Sequence, residues 1–137
     1  MVKFGVHLFL WIERFDDSAI SLIRKAKNMG FDGVEIPLGH LELINVEKTR
    51  KELKRRNMEC LGSVALSLDH DLTSDDEETR RRGIEWMKRC VEITSELGGD
   101  SVCGVIYIAW GKITGKSRTE TEWRRSVEAL RLSLIHI

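Results

Sequence analysis

Four apolar stretches alternate with helix-like patterns along this chain, and the alternation constrains the fold more than any other feature. The stretches are residues 2–10, 32–36, 59–68 and 101–109. A segment with apolar residues at helical spacing follows each of the first three, and the start of another follows the fourth. Strands that alternate with helices in this way form a parallel sheet covered by helices. The sequence therefore predicts an α/β fold with parallel strands and the helices outside.

Capping residues mark where the helices begin and end. The candidates at helix starts are Asp16, Asp17 and Ser18 for the first, Asn45 for the second, and Ser74 through Glu77 as a capping box for the third. Gly30 and Gly98 stand where helix-ending glycines are expected. We expect the second helix to run through Arg56 and a fourth to cover residues 119–131.

Length and composition limit what this fold can be. The chain of 137 residues allows one domain, yet it is only half of the roughly 250 residues of a (β/α)₈ barrel. Strand starts roughly 30 to 40 residues apart suit barrel units and doubly wound units alike. The 22 basic and 22 acidic residues balance, so no basic field indicates nucleic-acid binding.

The three cysteines form no CxxC pair, which argues against a disulfide scaffold or a zinc ribbon. A reducing cytoplasm is the expected setting. The apolar N-terminal stretch is too short to span a membrane, and no small-residue cleavage site follows it. We therefore expect a cytoplasmic protein without a membrane partner.

The last six residues, 132–137, read LSLIHI and contain no helix-stop signal. This hexapeptide resembles the translation of a sequencing-library adapter, the transposon mosaic end. We predict that residues 1–131 are native, that 132–137 are not, and that the natural protein continues. A genuine helix end is the alternative, and the codons at these six positions decide between the two.

Ligands of parallel α/β folds bind at the carboxyl ends of the strands. The candidates there are Phe9 and Trp11, Glu35 and His40, Ser67 and Asp69, and Tyr107 and Trp110. Trp11 and Trp110 could form the walls of a pocket for a flat or sugar-like ligand, or they could close the core.

Two residues inside the strands bear on this site. Glu35 lies in an apolar strand, where a charged group needs a partner. We favour a structural pairing with a neighbouring strand over an active-site role. His7 is either a satisfied core residue or a ligand for hydroxyl groups. No metal-ligand spacing, phosphate loop or nucleophile elbow is present.

Two blocks of sequence resemble a known family. The segment KFGVH at 3–7, with Trp11 and GFDGVEI at 30–36, resembles the start of the xylose-isomerase-like sugar isomerase/epimerase superfamily. The block DLTSDD at 71–76, continued by Arg80, Gly83, Leu97-Gly98 and Ala109-Trp110, looks specifically like the ketose 3-epimerases of the tagatose/psicose type. The resemblance covers residues 1–131.

The resemblance implies the N-terminal half, (βα)₄, of a (β/α)₈ TIM barrel. It implies a divalent metal, manganese first and magnesium or cobalt as alternatives, held by Glu, Asp, His and Glu from the fifth to eighth strands. The two glutamates, first and last of this set, exchange the proton at C3 of a free keto-sugar through an enediolate. This chain contains none of those strands, so we expect no catalytic residue and no metal ligand here, and no activity from the chain alone.

The resemblance also implies that this chain supplies one wall of the sugar site. Its residues in this sequence are His7, Phe15, Ser63, Val105 and Trp110. Two positions depart from the family pattern: His7 replaces a Phe or Tyr, and Gly111 stands where a proline commonly follows the tryptophan. These departures leave the identity of the sugar open.

The leading hypothesis is a ketose 3-epimerase that acts as a homo-oligomer in its full-length form. A relative of hydroxypyruvate isomerase or inosose dehydratase is an alternative within the superfamily, as is an endonuclease-IV-like protein, which the zero net charge disfavours. An alternative of another class is a small non-enzymatic α/β ligand-binding module. A native stop codon directly after Ile137 would favour that module.

Overall fold

The computed structural model describes residues 2–134 and contains four strands and four α-helices. The strands are β1 (Gly5–His7), β2 (Gly33–Pro37), β3 (Glu59–Ala65) and β4 (Val102–Val105). The helices are α1 (Ser21–Asn28), α2 (Val46–Arg56), α3 (Glu77–Leu97) and α4 (Glu120–Leu134). Among residues 2–134, none of the helices combines the length and apolarity needed to cross a membrane.

The four strands form one parallel sheet in which spatial order follows chain order, β1-β2-β3-β4. A helix follows every strand. A doubly wound sheet reverses direction at a switch point, whereas a barrel adds each new strand on the same side. The predicted parallel α/β fold is therefore confirmed, and this strand order selects barrel units over doubly wound units.

The two faces of the sheet differ in what covers them. On the outer face, Val6, Val34, Ile36 and Val64 are 5% exposed or less and pack in one hydrophobic core with residues of the helices. Alternate residues of a strand point to the opposite face. That inner face carries half-buried residues, and we call it the open face: His7, Glu35, Leu61, Ser63, Cys103 and Val105.

Most predicted helix boundaries are confirmed. The Asn45 side chain accepts a hydrogen bond from the Lys48 N–H and caps α2, which ends at Arg56. Gly98 follows α3 with a left-handed φ of 93°, which glycine adopts without strain. The capping box at Ser74 was wrong. Asp76 caps α3 instead, because its carboxylate accepts from the Thr79 N–H.

Three of the four strands are shorter than predicted, whereas β2 has the predicted length of five residues. The first apolar stretch becomes a three-residue strand and then a 3₁₀ turn at Leu8–Leu10, and the fourth keeps only four residues in the sheet. The last helix continues past residue 131 to Leu134, where the Ser133 hydroxyl donates to the Ala129 carbonyl. Residues 135–137 of the predicted adapter lie outside the described residues, and their origin stays a prediction.

Candidate functional site

The open face brings side chains from three neighbouring strands into one polar cluster. His7 on β1 lies opposite Glu35 on β2, and Pro37 of β2 lies opposite Ser63 on β3. The His7 Nε2 is 2.9 Å from the Ser63 Oγ and 3.9 Å from the nearer carboxylate oxygen of Glu35. The first distance is a hydrogen bond and the second is too long for one.

The backbone fixes which nitrogen of His7 carries the proton. The Phe9 N–H donates to the His7 Nδ1 at 3.0 Å, and Nδ1 must be unprotonated to accept. A neutral imidazole therefore has its hydrogen on Nε2 and donates it to the Ser63 hydroxyl. Ser63 accepts this bond with its oxygen, and its own O–H remains to be donated to the neighbouring Cys103 sulfur or to another group.

Glu35 adds negative charge to the same cluster. The Cys103 thiol on β4 donates to a Glu35 carboxylate oxygen at 3.9 Å. Partial burial, together with the Glu35 charge, raises the pKa of the Cys103 thiol, so this cysteine stays protonated near neutral pH. Sequence reasoning favoured a structural role for Glu35. The structure shows a half-buried carboxylate that is accessible on the open face.

Aromatic side chains border the open face at the carboxyl ends of the strands. The Phe9 ring lies 4.7 Å from the His7 ring, between centroids. Val105, half-buried, ends β4, and beyond it Tyr107 and Trp110 are 58% and 69% exposed. Large exposed aromatic rings at such a position are typical of ligand-binding walls.

The five predicted wall residues do not lie in one environment. His7, Ser63 and Val105 are on the open face, and Trp110 follows β4. Phe15 lies elsewhere: its ring is 1% exposed and packs in the hydrophobic core. It gives a ligand almost no surface, although the resemblance implies a place for it in the sugar site.

Sequence reasoning missed the contacts that connect these residues. Strand-end position predicted Phe9 and Tyr107 as candidates, but no local signal indicated that Glu35 would meet Cys103, 68 residues away. Within the described part of the chain, no three His, Cys, Asp or Glu side chains come together as a metal site would require.

Comparison with known proteins identifies the fold. A family model described as a xylose isomerase-like TIM barrel matches residues 23–136. The structure of D-allulose 3-epimerase from Methylomonas sp. in complex with D-allulose superposes with a TM-score of 0.92 at 28% identity. That match covers 98% of this chain and 47% of the epimerase. The predicted N-terminal half of a (β/α)₈ barrel is thereby confirmed.

Curated relatives are sugar epimerases. The ketose 3-epimerase of Arthrobacter globiformis is 33% identical over 112 residues, which are 81% of this chain and 39% of the relative. The L-ribulose 3-epimerase of Methylomonas sp. (strain DH-1) is 32% identical over 120 residues, 87% of this chain and 42% of the relative. The chain thus spans about two fifths of the length of these relatives.

Proposed function

Because the chain belongs to the xylose isomerase-like TIM barrel family, we propose that it forms one side of the sugar-binding site of a ketose 3-epimerase. The observation that carries this proposal is the polar cluster on the open face. Three strands present a histidine, a serine hydroxyl and a carboxylate on the side of the sheet that faces the interior of a barrel. The similarity to ketose 3-epimerases supports it.

The cluster has the chemistry to bind a polyhydroxylated ligand. The Ser63 O–H is a donor and the Glu35 carboxylate is an acceptor for sugar hydroxyls. The Val105 side chain supplies apolar contact. The exposed rings of Tyr107 and Trp110 can stack against the C–H face of a sugar. These residues bind and orient the substrate; they do not move the proton at C3.

The proposed reaction is epimerisation at C3 of a free ketose. One carboxylate removes the C3 proton, which leaves an enediolate, and a second carboxylate returns a proton on the opposite face. We assign both carboxylates, and the ligands of a divalent metal such as Mn²⁺, Mg²⁺ or Co²⁺, to strands that this chain does not contain. The described residues do not fit a metal site, and we derive no step through the metal.

The whole protein is proposed to be a cytoplasmic homo-oligomeric isomerase with a small keto-sugar as its substrate. Residues 1–137 alone are expected to turn over no sugar. Parallel assays of the protein from the complete reading frame and of residues 1–137 test the isomerase activity and its absence from the shorter chain. The encoded protein, incubated with D-tagatose, D-allulose or L-ribulose in D₂O, should form the C3 epimer and incorporate deuterium at C3, as observed by NMR.

A matched pair of variants connects this activity to the open face. Glu35→Gln should raise KM about tenfold, because it removes a charged hydrogen-bond acceptor for a sugar hydroxyl. Glu128→Gln, on the exposed surface of α4, should leave KM unchanged. Absence of C3 exchange with all three ketoses would overturn the proposal. Assays with hydroxypyruvate, inosose and abasic DNA then separate the remaining superfamily functions.

A further inference from the structure

The loop between β4 and α4 combines exposed rings with a buried backbone. Residues 106–119, all of them described, form neither helix nor strand. Ile108 and Ala109 are nevertheless buried, whereas Tyr107 and Trp110 on either side of them are exposed. An irregular loop of this length is usually mobile unless specific contacts hold it. The Trp110 N–H donates to the Leu66 carbonyl at 2.7 Å, and further contacts from this loop converge on Asp71.

Asp71 is a buried anchor on the loop that follows β3. It is 3% exposed, and its Oδ1 accepts hydrogen bonds from the Thr73 N–H and hydroxyl and from the Ala109 N–H, at 2.9 to 3.2 Å. Burial alone would raise the pKa of this carboxyl. The hydrogen bonds from Lys112 and Thr73 outweigh that effect and hold its pKa below the usual value.

Lys112 provides the opposite charge from the β4–α4 loop. Its Nζ donates to the Asp71 Oδ2 at 2.7 Å and to the Thr73 hydroxyl oxygen at 2.8 Å. Gly111 turns the chain back immediately after Trp110, with a φ of 80° that favours glycine. Proline cannot adopt that φ, so the turn explains physically why this chain has no proline after the tryptophan.

The start of α4 holds the same loop from the other side. The Glu122 carboxylate lies 3.5 Å from the Lys112 Nζ and accepts from the Thr119 N–H in a capping box. The Ser126 hydroxyl donates to the Tyr107 carbonyl at 2.8 Å, which fixes the backbone beneath that ring. The loop is thereby tied on one side to the segment between β3 and α3, through Asp71 and Thr73, and on the other side to α4.

From these contacts we propose that Asp71 and Lys112 are positioning residues: their ion pair, in which Asp71 is buried and Lys112 half-buried, fixes the β4–α4 loop so that Trp110 and Tyr107 form a rigid wall of the sugar site. This inference rests on the proposed function. Buried ion pairs contribute little to stability relative to apolar residues, because both charges lose their hydration. Their benefit here is a single loop conformation, which lowers the entropy lost when a ligand binds.

Hydrogen exchange tests the positioning without any activity assay. In the protein from the complete reading frame, Lys112→Met should accelerate amide exchange across residues 106–118 about tenfold, while exchange in α1 and β2 stays unchanged. Lys48→Met is the matched control, because it breaks an ion pair of similar length, 2.6 Å to Asp17, on the exposed surface. Unchanged exchange in the loop of Lys112→Met would overturn the proposal.

Kinetics then separate positioning from general stability. Lys112→Met should raise KM for the ketose about fivefold and leave kcat within about twofold of the wild-type value. Lys112→Arg keeps the positive charge and should have the wild-type KM. A loop that exchanges faster with KM unchanged would also overturn the proposal. If Lys112→Met does not fold, Thr73→Val replaces it, since it removes the bridging hydroxyl but keeps both charges. If the protein does not epimerise ketoses, only the proposed function is wrong, because hydrogen exchange tests the loop without any sugar.

Discussion

The outer and open faces of the same four strands differ in burial and in polarity. On the outer face, Val34 and Ile36 are almost fully buried in the hydrophobic core. On the open face, their strand neighbour Glu35 is half-buried and meets a histidine and a thiol. The two environments are one residue apart along the chain. Buried apolar residues therefore cover the outer face, whereas the open face carries a half-buried polar cluster.

This difference separates stability from function within the sheet. Buried aliphatic residues contribute free energy through the water they exclude. A polar cluster that is half-buried contributes little to folding, yet its free donors and acceptors are what a hydroxylated ligand needs. Substitutions on the two faces should consequently change different measurements. The following predictions test that separation, in order of decreasing effect on stability.

The largest effect is expected from Ile36→Ala on the outer face. Ile36 is 0% exposed, and truncation of such a residue leaves a cavity that lowers the free energy of unfolding by about 2–5 kcal/mol. Val105→Ala, a smaller truncation on the open face, should lower it in the 137-residue chain by less than about 1 kcal/mol, because Val105 is only half-buried there. Urea unfolding followed by circular dichroism measures both. Equal losses would contradict the distinction between the faces.

Asp71→Asn should have the next largest effect, and the loss should depend on pH. The hydrogen bonds to the charged carboxylate stabilise the fold by about 1.5–3 kcal/mol. Because the pKa of Asp71 is lowered in the folded state, this stability is present above the ordinary aspartate pKa of about 3.9 and is lost as the pH falls through the folded pKa.

Urea midpoints at pH 6 and pH 3.5 measure this dependence. The difference between wild type and Asp71→Asn should be full at pH 6 and smaller at pH 3.5. The control is Asp17→Asn, which removes an exposed carboxylate and should change neither midpoint measurably. If the difference between the two urea midpoints grew as the pH fell, the predicted direction of the pH dependence would be wrong.

Phe15→Leu tests a residue that the resemblance and the structure place differently. If Phe15 belongs to the core, the substitution should lower the free energy of unfolding by about 1–2 kcal/mol through lost packing and leave KM for the ketose within about twofold. A raised KM with unchanged stability would instead assign Phe15 to the sugar site, as the family resemblance implies.

The sequence predicted the elements well because their signals are local. Asn45 lies next to the backbone N–H that it caps, and Gly98 is at the residue whose φ it permits. The length of the first strand was overestimated because an apolar run such as 2–10 does not distinguish a strand from the 3₁₀ turn that follows it. Of that turn only Leu8 is buried, and the apolar Phe9 and Leu10 are exposed.

The site could be predicted only as a set of strand ends. The hydrogen bond between His7 and Ser63 joins residues 56 positions apart, and Lys112 reaches Asp71 across 41. Such contacts depend on register and on how the loops turn. No local pattern contains that information, so the sequence indicated His7 and Ser63 through family resemblance and gave no sign of the Asp71–Lys112 pair.

The smallest effect on stability is expected from Ser63→Ala, which is also the sharpest test of the open face. The side chain is half-buried, so the unfolding free energy should change by no more than about 0.5 kcal/mol. The His7 Nε2–H would lose its acceptor, and a bound ketose would lose a hydroxyl donor. KM should therefore rise about fivefold or more. Ser95→Ala on the exposed surface of α3 is the matched control and should change neither quantity. An unchanged KM for Ser63→Ala would mean that the polar cluster fills the barrel interior without contacting the sugar.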